Sequence, residues 1–383
     1  MQFVSNVNKF FDEKYHVVGL FLDLSKAFDS LNHEILLYKL SNIGIRGSPL
    51  HLFHSYINNR KQAVFCNSVY FTTKVISSGV PQGSVLGPIL FLIYINDLVR
   101  CSSKLKFTIY ADDTTLLMAD KNLQTLHTNL CNEFGNVYQW TKHYRLKLNV
   151  NKTNYILFQN RSVRQCLPPV LLDGERIERV EHTKFLGVYI YEHLAWSQHI
   201  KKVCLKFSRT CGILYRIRKQ LSTDAMLSIY YTLAYPFLHY CIAVWGCTWP
   251  SFLNKLVIAQ KKVLTCILFI AQFNSTSNIF STHNLLNVNS VHKYFLLLLI
   301  FKTIKKPDTH VFSLIDQQRI TRENSANLRI PRFKTSLYKN SITCFGPRTW
   351  NSLPVDLKTL IFTGDYSIFK RKIKSYLFIR QNE

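Results

Sequence analysis

Acidic residues are scarce in this sequence. Its 383 residues include 22 Asp and Glu against 48 Lys and Arg, which gives a formal net charge of +26. A charge this large opposes compaction and favours a polyanionic partner. Nucleic acid is the expected partner, because binding of Lys and Arg to its phosphates releases counterions. The alternative is a genome rich in A and T, whose codons enrich lysine without any such partner.

Cysteine pairs with metal-ligand spacing are also absent. The ten cysteines are scattered, no CxxC occurs, and the shortest spacings are Cys204/Cys211 and Cys241/Cys247. This pattern excludes a zinc site of the usual kind and favours free thiols in an intracellular protein.

A long hydrophobic run is the third missing feature. The longest apolar stretch, "YFLLLLIF" at 294–301, has eight residues, too few to cross a hydrocarbon layer of about 30 Å. No membrane partner is therefore expected, and the stretch predicts a core helix. The N-terminal residues contain no apolar segment typical of a signal peptide.

The pattern of apolar residues changes along the chain. Short apolar runs alternate with helical periodicity up to about residue 195, whereas helical patterns dominate from 196 to about 270. The last ~60 residues are rich in Arg, Lys and Asn and show little periodicity before "YSIFKRKIKSYLFI". We therefore expect an α+β region followed by a helical region.

Acidic residues interrupt two of the predicted strands. Asp112 and Asp113 divide the apolar run "FTIYADDTTLL", and Asp23 ends the run "HVVGLFLD". If the two strands are neighbours, the three carboxylates converge and need cations to offset their repulsion. Carboxylate oxygens suit Mg²⁺, which leaves coordination positions for phosphate and water. Two such ions clamp the oxygens of an in-line phosphoryl displacement.

Five sequence blocks carry a family resemblance. They occur in this order: "FLDLSKAFD", "SSGVPQGSVLGPILFLIYINDL", "YADDTTLL", "LKLNVNKT" and "FLGVYI". Together they resemble the reverse transcriptase domain of non-LTR (LINE-type) retrotransposons of the jockey-like kind. The tail "FGPRTWNSLPVDL" is similar to the segment that follows the polymerase in those elements. A group II intron maturase shares the YADD motif, but the tail and the "GVPQGSVLGP" context fit LINE elements better.

The resemblance implies the right-hand polymerase fold. It assigns residues 1–195 to the palm with a remnant of the fingers, 196–270 to a helical thumb, and 271–383 to a basic C-terminal region. The palm would be an antiparallel sheet with flanking helices. The implied activity is RNA-directed DNA polymerisation by two-metal nucleotidyl transfer, with Mg²⁺ as the metal and Mn²⁺ as the alternative. A helical segment at 201–219 would follow the backbone of the duplex.

The resemblance also implies roles for individual residues. The implied metal ligands and catalytic acids are Asp23, Asp112 and Asp113. Lys152 would neutralise the leaving pyrophosphate, with Lys147 as its rival. The implied substrate-binding residues are Leu24, Phe28, Gln82, Gly83, Tyr110 and Ala111, among which Phe28 would reject ribonucleotides at the sugar 2′ position. The implied primer grip consists of Phe185, Leu186 and Gly187.

The sequence departs from the family at its N-terminus. Only 22 residues precede Asp23, which leads us to expect an N-terminally truncated polymerase that lacks most of the fingers and the endonuclease. Two readings stay open: an RNA-directed DNA polymerase, or a catalytically inactive remnant that only binds nucleic acid. An RNA-templated RNA polymerase is a third reading, which Phe28 disfavours. The expected partners are an RNA template, a DNA primer or target and dNTPs, and the expected location is the nucleus, with the cytoplasm as the alternative.

Overall fold

The computed structural model of the protein describes residues 1–159, 166–269, 279–305, 312 and 327–381. The helices are α1 (Gln2–Asp12), α2 (His33–Asn42), α3 (Ser48–Ile57), α4 (Leu86–Ile95), α5 (Leu123–His143), α6 (Ser197–Ile217), α7 (Thr223–Leu233), α8 (Tyr235–His239), α9 (Ile242–Trp245), α10 (Pro250–Ile267), α11 (Ile279–Thr282), α12 (Val288–Lys305), α13 (Ser336–Lys339), α14 (Ile342–Asn351), α15 (Val355–Thr363) and α16 (Tyr366–Arg380). A 3₁₀ helix follows α4 at Asn96–Cys101.

The strands lie almost entirely in the first half of the chain. They are β1 (His16–Leu22), β2 (Leu24–Ser25), β3 (Arg60–Gln62), β4 (Phe65–Cys66), β5 (Val69–Tyr70), β6 (Lys74–Ile76), β7 (Lys106–Tyr110), β8 (Asp113–Asp120), β9 (Lys147–Leu148), β10 (Asn154–Phe158), β11 (Leu171–Leu172), β12 (Glu175–Arg176), β13 (Glu178–Arg179), β14 (His182–Phe185) and β15 (Val188–Tyr191). The α+β fold class expected from the sequence is confirmed.

The chain forms two compact units. The strand-rich unit comprises residues 15–187, and the helical unit comprises residues 1–14 together with the chain from residue 188 onward. The division into segments 1–195, 196–270 and 271–383 stays a prediction. Helix α1 belongs to the helical unit, where Asp12 is buried and its Oδ1 accepts hydrogen bonds from the backbone N–H groups of Lys334 and Thr335 at 2.8 and 2.7 Å.

A five-stranded sheet organises the strand-rich unit. Its order is β13-β10-β1-β8-β7, and β1 pairs in antiparallel fashion with both β10 and β8. Every residue of β1 after His16 is buried, as expected of a central strand that is covered on both faces. The sequence prediction of a strand that starts at His16 and ends at an acid is confirmed.

Two helices pack against one face of this sheet. Leu20 of β1 and Leu116 of β8 share a hydrophobic core with Phe91 of α4 and Phe134 of α5. The apolar periodicity over 122–146 predicts a long amphipathic helix, and this helix is α5. It begins where the Asn122 side chain accepts hydrogen bonds from two N–H groups of the first turn. The sheet and its helices thus form one layer pair around one core.

A polar network fixes helix α2 to this core. The Nζ of Lys39 is hydrogen-bonded to Asp97 Oδ1 at 2.5 Å and lies 3.7 Å from the centroid of the Tyr144 ring. The buried Tyr94 hydroxyl donates to the Tyr144 carbonyl at 2.6 Å. The sequence predicts a helix cap at Asn32, and α2 begins there, because the Asn32 side chain accepts the Ile35 N–H at 3.0 Å.

Small hairpins connect the helices of the strand-rich unit. The sequence over 61–78 predicts a hairpin pair, and this is confirmed, because β3 pairs with β6 and β4 pairs with β5 at the tip. The sequence "ERVEHTKFLGVYI" at 178–190 predicts a single strand, which is wrong, because this segment contains β13, β14 and β15. Leu186 and Gly187 interrupt it with φ values of +46° and +80°, and a strand does not continue through such a conformation.

The helical unit is built around α12. This helix contains the predicted apolar run and packs against α9, α14 and α16. The ring of Phe301 stacks on Phe369 of α16 at 4.3 Å, and Trp350 of α14 lies 5.8 Å from Phe369. In the ranges that the structure describes, no helix is both long and apolar enough to cross a membrane.

One predicted helix is divided into three. The apolar periodicity over 224–246 predicts a continuous helical segment, but the structure forms α7, α8 and α9 instead. Pro236 lies in the first turn of α8, and Cys241 adopts φ +54° before α9. A left-handed residue cannot continue an α-helix, so the chain turns at this point.

Candidate active site

The interruption between strands β1 and β2 at Asp23 is the first component of the site. β1 ends at Leu22, and β2 starts at Leu24. The Asp23 N–H donates to the Thr153 hydroxyl at 3.3 Å, and its carbonyl accepts the Asn149 N–H at 2.8 Å. The backbone on both sides of the half-exposed carboxylate is therefore held by the turn that follows β9.

The acidic hairpin is the second component. β7 and β8 pair with Tyr110 opposite Asp113, so Ala111 and Asp112 form a two-residue turn. Ala111 adopts φ +52° at the first turn position, which matches the twist of a tight hairpin. The predicted division of the 107–117 run into two strands is confirmed, with Asp112 and Asp113 exposed at one end.

The sheet register brings the two components together. Leu22 of β1 and Thr114 of β8 form the last residue pair between these two strands. Asp23 and Asp113 are the next residues beyond this pair, so they lie at the same edge of the sheet. Burial raises the pKa of the Asp113 carboxyl, and the charges of Asp112 and Asp23 raise it further. The three carboxylates are therefore close enough to repel one another, as the sequence predicts.

The three carboxylates have no cationic partner in the described ranges. None of them forms an ion pair with a described Lys, Arg or His. No group of three His, Cys, Asp or Glu side chains in these ranges is arranged to hold a metal ion by itself. A hard divalent cation fits such a set, because Mg²⁺ commonly takes one or two carboxylates and completes its shell with water and phosphate oxygens.

Two lysines lie on the segments that contact this edge. Lys152 is in the turn whose Asn149 N–H is bonded to Asp23, and Lys147 is paired with Ser25 in the β2–β9 ladder. Both side chains are exposed. The structure therefore brings both lysine positions beside the Asp23 backbone and does not distinguish between them.

Leu24 and Phe28 continue the chain after Asp23. Leu24 is buried and paired with Leu148. The Phe28 ring is half-buried and lies 4.9 Å from the ring of Phe91, and the Phe28 carbonyl accepts the Val80 N–H at 2.9 Å. One side of Phe28 belongs to the core, and the rest of the ring is accessible, so its role at the sugar stays a prediction.

The segment with Gln82 and Gly83 lies beside the same loop. The Gln82 amide donates to Asp29 Oδ1 at 2.8 Å. Gly83 has φ +81°, and no atom lies within 4 Å of the position that a β-carbon would take. The backbone there is open to a ligand, and the role of Gly83 in substrate binding stays a prediction.

Sequence reasoning missed Gly79 and Asp29. A β-carbon on Gly79, whose φ is +83°, would lie 2.7 Å from the Asp29 Cα. The Gly79 N–H donates to the Leu31 carbonyl at 2.7 Å. This close approach joins the two loops, and its signal in the sequence is the glycine that precedes Val80 and Pro81.

The remaining predicted site residues occupy two turns. Tyr110 is exposed at the end of β7, one residue before Ala111. Phe185 lies edge-on to Phe21 of β1 with 5.8 Å between ring centroids. Leu186 and Gly187 follow in left-handed conformations. The primer-grip candidates are therefore connected through Phe185 to the strand that ends at Asp23.

The chain is similar in sequence to known proteins. Residues 2–190 match the family described as "Reverse transcriptase (RNA-dependent DNA polymerase)". The "RNA-directed DNA polymerase from mobile element jockey" of Drosophila melanogaster is 30% identical over 266 residues, covering 66% of this chain and 28% of that protein. The "Probable RNA-directed DNA polymerase from transposon BS" of the same species is 26% identical over 276 residues, covering 67% and 29%. The chain thus spans less than a third of the length of these relatives.

Among solved structures, apo telomerase from Candida tropicalis aligns with 80% of this chain and 54% of its own length. The sequence identity is 13% and the TM-score is 0.41. A likeness at this level carries no argument about the fold or function of the present chain.

Proposed function

We propose that this chain acts as the RNA-directed DNA polymerase of a non-LTR retrotransposon. The match of residues 2–190 to the reverse transcriptase (RNA-dependent DNA polymerase) family supports the proposal. The similarity to the RNA-directed DNA polymerases of the jockey and BS elements also supports it. The observation that carries it is the set of three carboxylates at one sheet edge without a cationic partner in the described ranges.

The proposed cofactors are two Mg²⁺ ions, with Mn²⁺ as the alternative. Asp23, Asp112 and Asp113 would hold them, and bound ions of this kind supply Lewis-acid stabilisation at the reacting phosphate and activate the attacking hydroxyl. The raised pKa of Asp113 supports this assignment, because a bound cation offsets the repulsion from which part of that shift arises.

The protein's own side chains would position the reactants. The open backbone at Gly83 lets a nucleotide approach, and the accessible part of Phe28 would lie against the sugar. The positive charge of Lys152 or Lys147 would neutralise the departing pyrophosphate. Leu24, Gln82, Tyr110 and Ala111 would complete the substrate-binding surface, while Phe185, Leu186 and Gly187 would support the primer end.

The proposed substrates are an RNA template, a DNA primer or target, and dNTPs. The net charge of +26 supports a nucleic-acid partner. We also propose an intracellular location, in the nucleus where integration occurs, with the cytoplasm as the alternative. No membrane partner is proposed.

A second function deserves a test beside the first. A chain that only binds nucleic acid would need the positive charge but no metal site. The net charge of +26 supports this reading as well as the first, because contacts with phosphates need cations and no metal. The two functions differ in extension activity and agree in salt-sensitive binding.

Primer extension on an RNA template with Mg²⁺ and dNTPs separates them. The wild-type chain is compared with the double variant Asp112→Asn/Asp113→Asn and with Glu34→Gln, an exposed acid on α2. Extension by wild type and Glu34→Gln, but not by the double variant, supports the polymerase. No extension by any of them, with binding that weakens steeply as salt rises, supports the binding-only function.

A further inference from the structure

Helices α6 and α10 of the helical unit pack against one another along a stripe that includes two cysteines. On α6 and at its end, Cys204, Cys211 and Arg218 are seven residues apart, and this spacing puts side chains on one face of a helix. The Cys211 thiol donates a hydrogen bond to the Lys262 carbonyl of α10 at 3.7 Å, and the Arg218 guanidinium lies 5.7 Å from the Phe269 ring. The contact therefore advances by seven residues on both helices.

This contact places a second thiol beside Cys211. Cys266 lies one helical turn after Lys262 and is buried, with 8% of its surface exposed. Its thiol shares a hydrogen bond with the Cys211 thiol, and the Arg218 guanidinium donates another to the Cys266 sulfur. Burial raises the pKa of the Cys266 thiol, the Cys211 thiol raises it further, and Arg218 lowers it. Two thiols and one cation thus meet between the helices.

The two thiols differ in their access to solvent. Cys211 is half-buried, so a small oxidant can reach its sulfur, whereas Cys266 lies behind it in the core. In redox-sensitive pairs an accessible thiol is oxidised first, and a neighbouring thiol then converts the product to a disulfide. The proposed polymerase reaction uses neither cysteine.

We propose that Cys211 and Cys266 are an oxidative modification site that forms a reversible disulfide when the protein meets hydrogen peroxide. The Cys211 thiolate attacks one peroxide oxygen, the O–O bond breaks, and the products are a Cys211 sulfenic acid and one water. The Cys266 thiolate then attacks the Cys211 sulfur, the S–O bond breaks, and a second water leaves. The two thiols lose two electrons, which the peroxide gains, and exchange with a small thiol reverses the reaction.

A disulfide at this position would lock the helical unit. It would join α6 to α10 and close a loop that contains α7, α8 and α9. Such a bond restricts the unfolded chain and thereby stabilises the folded one. Helix α6 overlaps the segment 201–219, which the family resemblance would place along a duplex, so oxidation would hold that helix against α10. The inference is independent of the proposed function, because no step involves a metal, a nucleotide or a nucleic acid.

Peptide mapping of the full chain tests the pairing. The protein is treated with hydrogen peroxide, its remaining thiols are blocked with iodoacetamide, and trypsin is added without reductant. We expect peptide 210–216 to be linked to peptide 263–293, each of which contains one cysteine, and dithiothreitol should separate them. The matched control is Cys204→Ser, because Cys204 lies seven residues before Cys211 on the same face, and this variant should form the link as fully as wild type.

Cys211→Ser should form no link to the 263–293 peptide, and neither should Cys266→Ser. Cys211→Ser carries the test, since Cys211 is half-buried and its substitution removes little packing, and circular dichroism of the reduced variant checks its fold. Oxidised wild type should unfold at a temperature about 5 °C or more above reduced wild type, and Cys211→Ser should show no such rise. The proposal is overturned if Cys211 ends as a sulfinic acid, if it pairs with another cysteine, or if oxidised and reduced wild type unfold at the same temperature.

Discussion

The acid with a raised pKa in the strand-rich unit and two histidines with lowered pKa values in the helical unit lie in opposite surroundings. In the strand-rich unit the acid with a raised pKa, Asp113, is exposed at a sheet edge beside two other carboxylates. In the helical unit His199 and His292 are buried, and burial lowers their pKa values to about 4 and about 3. The carboxylates at the sheet edge are available to a ligand, whereas burial keeps the two imidazoles uncharged in the core.

This difference indicates where each unit tolerates substitution. A charge at the sheet edge contributes little to packing, so its removal should affect chemistry rather than stability. An aromatic or imidazole ring in the helical core contributes packing, so its removal should affect stability first. The following predictions test that division.

The largest expected effect is on extension activity. Asp23→Asn should reduce primer extension by about a thousandfold or more, because an acid that would bind the metal loses its charge. The free energy of unfolding should stay within about 0.5 kcal/mol of wild type, as for other exposed changes. Extension assays and urea denaturation of the same preparations measure both quantities. An active Asp23→Asn variant would remove this carboxylate from the site.

The second effect is on the stability of the helical unit. Phe369→Ala should destabilise it by about 3–5 kcal/mol, since the ring is fully buried and stacks on Phe301. Hydrogen exchange of peptides from α12 and α16 reports the loss locally. Ile379→Ala, on the exposed side of α16, serves as the control and should cost less than about 0.5 kcal/mol. Equal losses for the two variants would contradict the assigned core.

The third effect concerns two glycines of the strand-rich unit. Gly79→Ala should cost about 2–3 kcal/mol, because the residue has positive φ and its β-carbon would collide with the Asp29 backbone. Gly83→Ala, with a similar φ but open space, should cost about 1 kcal/mol.

Gly174→Ala is the control for these two variants, since Gly174 has φ +83° and open surroundings away from the site. Urea denaturation ranks the three proteins. If Gly79→Ala were no worse than Gly174→Ala, the close approach of the two loops would be excluded.

The fourth effect is the pH dependence of the helical unit. The pKa values of His199 and His292 are lowered from 6.5 in the folded state, so the unfolded state binds more protons between about pH 6.5 and pH 4. Stability should therefore be complete above pH 6.5 and decrease as the pH falls through this range. Denaturation at several pH values measures the slope.

Variants identify the groups that cause this slope. His292→Gln should reduce it, whereas His51→Gln should leave it unchanged, because His51 is exposed on α3. A slope that is the same in wild type and His292→Gln would show that the buried imidazole does not titrate on unfolding.

Local sequence patterns were sufficient for much of the strand-rich unit. The apolar run before Asp23, the acidic pair at 112 and 113, and the cap at Asn32 each depend on neighbouring residues, and each prediction is confirmed. The division of 224–246 into three helices was not predicted. Cys241 adopts a left-handed conformation, and a cysteine in the sequence does not indicate such a conformation.

Contacts between distant segments could not be read from these patterns. Asp12 caps the backbone at Lys334 and Thr335, more than 300 residues away in sequence. Gly79 contacts Asp29, and Cys211 contacts Lys262. Such pairs depend on how whole elements pack, and neither periodicity nor residue type encodes them locally.

The residues fixed the charge of the chain, the strand that ends at Asp23 and the hairpin of Asp112 and Asp113, because apolar periodicity and turn chemistry act over a few neighbouring positions. The folded structure decided that these acids share one edge, that the Cys211 and Cys266 thiols lie together between α6 and α10, and that helix α1 belongs with the helical unit. The physical reason is that register and packing are set by burial of apolar surface across the whole unit, which brings together groups that have no relation along the chain.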